Sequence, residues 1–210
     1  MGALIKHAPL NNCDNLLAFL DMLRIGCLEE EVNVFISESI YDLIITLLNT
    51  FFISKFTNET QNPKNVRIMI WRLIANISKF EAGSLMLFSI YDQLLVAAQE
   101  SLTNLKDNDA MVKSMSMAIN NLIFMEYGLE CDEDGKFELF KAFSQNLSCP
   151  TENTVIATLN VLCRLSKDNK DMITRIKKED PSLIIKLGGL KSSQNEVIQM
   201  FAEDLLFILK

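Results

Sequence analysis

Histidine is nearly missing from this 210-residue chain, and tryptophan, tyrosine, proline and glycine are scarce: one, one, three, four and seven respectively. The single histidine, His7, lies in a poorly patterned N-terminal segment with no Ser, Cys or carboxylate near it in sequence. A Ser/His/Asp or Cys/His mechanism would have to rest on it alone, and transition metals lose their commonest ligand. So few Gly and Pro leave too few turn residues for a sandwich or barrel, which favours helices. No run of 18 apolar residues occurs, and the longest uncharged stretch, Leu43 to Ser54, reads as a buried helix rather than a membrane span. Basic excess is lacking too: a net charge of −7 argues against a nucleic-acid footprint. The five cysteines (Cys13, Cys27, Cys131, Cys149, Cys163) include no C-x-x-C pair, so neither zinc nor a disulfide framework is expected. Neither G-x-G-x-x-G nor a P-loop is present, which disfavours a nucleotide enzyme. Asp132-Glu133-Asp134-Gly135 fails as a calcium loop, because Phe143 stands where the closing Glu belongs; a solvated hairpin loop is expected instead. With no secretory h-region at the start, a cytoplasmic and nuclear protein without metal or cofactor is expected.

Apolar residues, by contrast, recur at i, i+3, i+4 and i+7 almost throughout. A first helix follows the stripe Leu16, Leu17, Leu20, Leu23 and Ile25, capped by Asn12 or Asp14. Later helices are predicted over 38–53, 64–80, 90–104, 108–127, 136–147, 152–167, 170–178, 181–187 and 195–209. Pro181 should open one of them, and Gly188-Gly189 should close it. The segments 72–78, 117–123, 159–165 and 204–210 carry the same apolar core at a spacing in the armadillo and HEAT range. The expected fold is all-α: an armadillo-like α-solenoid of about five helical repeats, with one domain over 14–210 after a poorly patterned segment 1–13. The Met and Phe residues, such as Met111, Met115, Met117, Phe137, Phe140 and Phe143, fall at helical spacing and are assigned to its core, with a few of them lining an adaptable groove as the other reading.

One polar register cuts through this pattern. Arg72 and Asn76 sit four apart in an apolar helix, and Gly83 follows seven residues later. Asn76, Asn120 and Arg164 are 44 residues apart, as are Arg72, Ser116 and Asn160. Such a row runs along a stack of helices and suits a binding surface better than an active site. One reading is structural: the asparagines bond neighbouring helix backbones and Arg72 makes an ion pair. The other is functional: Arg72, Asn76, Lys113, Asn120, Asn160 and Arg164 line a peptide-binding groove, in which a guanidinium holds a carboxylate through bidentate bonds.

Trp71-Arg72-Leu73-Ile74-Ala75-Asn76, followed by Gly83 and Leu85-Met86-Leu87, resembles the core signature of the PUL domain. That domain forms the C-terminal part of phospholipase-activating protein and its fungal counterparts in ubiquitin handling. Leu20-Asp21-Met22-Leu23-Arg24, Met117-Ala118-Ile119-Asn120 and Val161-Leu162-Cys163-Arg164-Leu165 look like further family segments, in order and at near-family spacing. The resemblance implies an armadillo-like groove that binds the acidic C-terminal tail of a hexameric AAA+ ATPase, the valosin-containing segregase. It maps one family arginine onto Arg72 and places Ala157 where a second belongs, with Arg164 and Lys113 as candidates to replace it. The family's β-propeller and ubiquitin-binding module are not in this sequence, so ubiquitin would be reached only indirectly. The expectation is a monomeric, non-catalytic adaptor with no nucleic-acid or membrane partner. Its rival is an armadillo scaffold binding an unrelated helix or extended peptide.

Overall fold

Amphipathic stripes of this kind can be buried only by stacking helix on helix, and the computed structural model shows that arrangement. It describes residues 12–53, 63–104, 108–124, 133–149 and 151–210. Twelve α-helices and no strand occur among the described residues: α1 (Cys13–Gly26), α2 (Glu30–Ser39), α3 (Tyr41–Leu48), α4 (Pro63–Ile77), α5 (Glu81–Phe88), α6 (Tyr91–Asn104), α7 (Asp109–Phe124), α8 (Glu133–Ser144), α9 (Glu152–Ser166), α10 (Lys170–Glu179), α11 (Ser182–Leu190) and α12 (Glu196–Ile208). A π turn over Asn49–Ile53 extends α3, and a 3-10 turn over Gln145–Ser148 extends α8.

Five helices form a ladder in which α1 packs on α4, α4 on α7, α7 on α9 and α9 on α12. A second layer covers one side of it, with the π turn and α3 against α6, and α6 against α8. The short helices α2 and α5 pack on each other at the corners between the layers. One hydrophobic core runs the length of the stack, from Leu16 and Leu20 through Trp71, Met115, Phe140 and Leu162 to Leu205. Trp71, fully buried, meets the edge of Phe52 at 5.8 Å and donates from Nε1 to Ser101 Oγ at 3.0 Å, joining α4 to the second layer. Met111, Met115, Phe137, Phe140 and Phe143 are core residues, but Met117, expected among them, is exposed, because it stands on the opposite side of its helix from the buried Met111, Met115 and Ala118. Successive rungs are also tied by polar contacts near their starts: Thr154 donates its hydroxyl to Asp109, and Asn195 donates to Glu152 at 2.8 Å.

Asn12, not Asp14, caps α1, accepting from the Asn15 backbone at 3.1 Å. Four expectations change. The helix expected over 38–53 breaks at Ile40, where α2 meets α3, and α5 was not foreseen at all. Helices of eight to ten residues show little more than two turns of periodicity, too few to separate them from a loop. Glu133 and Asp134 do not lie in a loop; they start α8, where the helix dipole favours acidic side chains. Their charge is matched by α10 and its cap: Asn169 donates to Glu133 at 2.8 Å, and Arg175 pairs with Asp134 while stacking 3.8 Å over Phe137. Finally, Gly188 and Gly189 lie inside the last turn of α11, which runs on to Leu190 and Lys191.

Candidate binding groove

Within α4, Trp71, Leu73 and Ile74 are buried and Arg72 is exposed, so the guanidinium points away from the core. The C-terminal end of this helix is fixed by a knot of side-chain-to-backbone bonds. Asn76 Nδ2 donates to the Arg24 carbonyl of α1 at 2.7 Å. The buried Asn33 amide donates towards the carbonyls of Asn76 at 3.1 Å, Ile77 at 3.2 Å and Cys27 at 3.2 Å, taking up helix-end acceptors that lack an intrahelical partner. Ser84 Oγ donates to the Ser78 carbonyl at 3.0 Å. Gly83 lets α5 close onto this end, since a Cβ there would stand 2.0 Å from the Ile77 carbonyl oxygen. The Arg72, Asn76 and Gly83 pattern thus divides its labour: Asn76 and Gly83 build the corner, and Arg72 is what the corner presents.

Arg72 opens onto a cavity of about 460 Å³ between α1, α4, α7 and α9, shared with Arg24, Asn76, Asp109, Lys113 and Asn153. Arg24 is held at its rim by Asp21, Nε to Oδ1 at 2.8 Å. Asp109 is engaged with Thr154. Arg72 and Lys113 are exposed and form no ion pair among the described residues. Met117, 52% exposed, supplies an apolar wall. Three cations therefore converge on one cavity with a single lining carboxylate.

Of the six residues expected along the row, the structure brings Arg72, Asn76 and Lys113 together. Asn120 is half-buried, and its Oδ1 has no partner among the described residues. Its neighbour Asn121 takes the bridging role, donating to the Ala75 carbonyl at 2.9 Å. Ser116, expected beside Arg72 in the row, is 2% exposed, whereas Met117 reaches the cavity. The ladder register has slipped by one residue on α7, so a fixed spacing of 44 picks the wrong neighbour there. Asn160 is half-buried and lines neither this cavity nor the next. Arg164 opens onto a different cavity, of about 670 Å³, towards α12. Ala157 is half-buried on α9. Arg24, Asp109 and Asn153 escaped the sequence reading; Arg24 is the one with a signal, since it closes a segment that also resembles the family.

The thiols described are free. Burial pushes Cys27 up to about 12, and burial together with Asp204 does the same to Cys163. Neither is a nucleophile at neutral pH.

The PUL-domain family model matches residues 12–173. The chain belongs to the PUL-domain family. No curated protein matches the sequence. Among solved structures, a designed armadillo repeat protein is similar over 100% of this chain and 99% of its own, with a TM-score of 0.58 at 14% identity. A second engineered protein is 15% identical, covering 99% of this chain and 95% of its own with a TM-score of 0.46. The ladder and its covering layers are thus an armadillo-like α-solenoid, and this PUL domain has the architecture of a protein-interaction scaffold.

Proposed function

We propose that this PUL domain is a non-catalytic adaptor whose Arg72 cavity docks the acidic C-terminal tail of a hexameric AAA+ ATPase of the valosin-containing type. The convergence of Arg24, Arg72 and Lys113 on one cavity, in a chain of net charge −7, carries the proposal. Solenoids present extended concave surfaces to peptides, and a local basic groove on an acidic protein selects an acidic ligand while repelling it elsewhere. Arg72 would take a side-chain or terminal carboxylate bidentately, Lys113 would add a point charge, and Arg24 would stand in for the family arginine replaced by Ala157. Through that tail the domain would link the ATPase to ubiquitin-dependent degradation in the cytoplasm and nucleus.

The test is titration of a fluorescent ten-residue ATPase tail against the wild type and Arg72→Glu. Micromolar binding that disappears in the variant is expected, while helical circular dichroism is unchanged. A folded wild type that does not bind the tail would overturn the partner. Equal binding by both proteins would remove Arg72 from the site.

A further inference from the structure

We propose that the outward face of α2 is a second docking surface, which takes a basic segment of a partner protein through an aliphatic anchor. The helix α2 is built inside out. Its buried side carries Asn33 and Ser37 beside Ile36, because the Asn33 amide is committed to the carbonyls of Cys27, Asn76 and Ile77. The apolar pair Val34 and Phe35 is left on the solvent side, 39% and 45% exposed. Glu31, Val34, Phe35 and Glu38 fall at i, i+3, i+4 and i+7, so the pair shares one stripe with a glutamate a turn to either side. Leu28, just before α2, and Leu85, on the packed helix α5, are exposed as well. An apolar patch with a charged rim marks a protein-binding surface rather than a solvated face.

Charge names the occupant. From Ile25 to Ser54 the sequence holds Glu29, Glu30, Glu31, Glu38 and Asp42, and no Lys, Arg or His. All five carboxylates are exposed, and none forms an ion pair among the described residues. Among the helices packed on α2, α5 adds Glu81, and α1 adds Arg24, already paired with Asp21. Lys79, at the corner between α4 and α5, lies over the Phe80 ring. Carboxylates therefore dominate this face without counting any group that is held elsewhere. Lysine and arginine suit it in two ways: their aliphatic stems cover Val34 and Phe35, and their charged heads reach Glu31 and Glu38. An arginine can also stack on the Phe35 ring. This ligand is opposite in charge to the one assigned to the Arg72 cavity, whose three cations repel it.

The probe is a fluorescein-labelled peptide Lys-Arg-Ala-Leu-Leu-Ala-Arg-Lys, titrated by anisotropy, with a version carrying Ala for both Leu as control. The wild type should bind the probe with micromolar affinity, and the control peptide about five-fold or more weakly. Phe35→Ala and the double variant Glu31→Lys/Glu38→Lys should each weaken probe binding about five-fold or more. The double variant Glu138→Lys/Asp171→Lys makes the same change in net charge on α8 and α10, and should leave binding unchanged. All five positions are exposed, and the emission of the buried Trp71 reports that each variant is folded. Absence of binding by the wild type overturns the site. Equal losses in the two double variants overturn it too, because attraction to the net charge would then suffice. So does a wild-type dimer in sedimentation that Phe35→Ala dissolves, which would make the occupant a second copy of this chain.

Discussion

Arg72 and Asn76 are one helical turn apart yet belong to different energy terms. Asn76 Nδ2 satisfies the Arg24 carbonyl at a helix end, and its removal leaves that acceptor and the corner it ties unsupported. Asn76→Ala should therefore destabilise the domain by about 1–3 kcal/mol. Arg72 is exposed, and Arg72→Ala should change stability by less than about 0.5 kcal/mol. Urea unfolding followed through Trp71 measures both, and an Arg72 variant as unstable as the Asn76 variant would move Arg72 from ligand binding to structure. The buried Cys27 and the half-buried Cys163 give a residue-scale prediction of opposite kind. With Cys27 and Cys163 raised to about 12, the folded chain keeps protons that the unfolded chain releases from about pH 8.5 upward. Their contribution to stability is complete below that pH and falls as pH rises towards 12, by about 1.4 kcal/mol per pH unit for each thiol. Native alkylation at pH 8, mapped by peptide mass spectrometry, should leave both unmodified until the chain is unfolded.

At the scale of elements, the Gly83 contact decides how α5 meets α4. An added methyl at Gly83 has backbone rather than a flexible side chain in its way, the Ile77 carbonyl at 2.0 Å. Gly83→Ala should cost about 1–3 kcal/mol, or more if the corner cannot spread. Gly188→Ala, inside α11 with open space around it, should instead stabilise by about 0.4–1 kcal/mol. Thermal melts of the two variants should shift in opposite directions, and parallel shifts would sink the close-approach argument. The same elements show what could be read without coordinates. The long ladder helices α4, α7 and α9 were legible because fourteen or more residues of period 3.6 leave no other interpretation. The connectors α2 and α5 were not: α2 carries Asn33 and Ser37 on its buried side, so its core face looks polar. The candidate site was legible to the extent that it lies on one helix face. Arg72 and Asn76 follow from i,i+4 spacing, whereas Arg24, Asp109 and Asn153 reach the same cavity from three other helices and share no sequence register with them. The slip on α7 is likewise a matter of packing: Met117 faces the groove because Ser116 is turned into the core.

For the whole molecule, the distribution of charge decides what kind of ligand the solenoid can hold. A chain of net charge −7 opposes any acidic peptide at long range, so attraction must come from the cations around the Arg72 cavity. Both effects are screened by salt, but to different degrees. The general repulsion acts over tens of ångströms and vanishes first, while the contact pairs at Arg72 and Lys113 act at a few ångströms, where screening lengths of about 10 Å at 0.1 M fall to about 3 Å at 1 M. The association rate should therefore change little between 0.02 and 0.1 M salt, as lost repulsion offsets lost steering. From 0.1 to 1 M the affinity for an acidic tail should fall by about five-fold or more, since exposed carboxylate contacts weaken while burial of apolar surface strengthens. Fluorescence titrations across that range distinguish the two proposed kinds of ligand. An affinity that holds or rises with salt would place the binding energy in the apolar wall at Met117 and favour an apolar helix or peptide over a carboxylate tail.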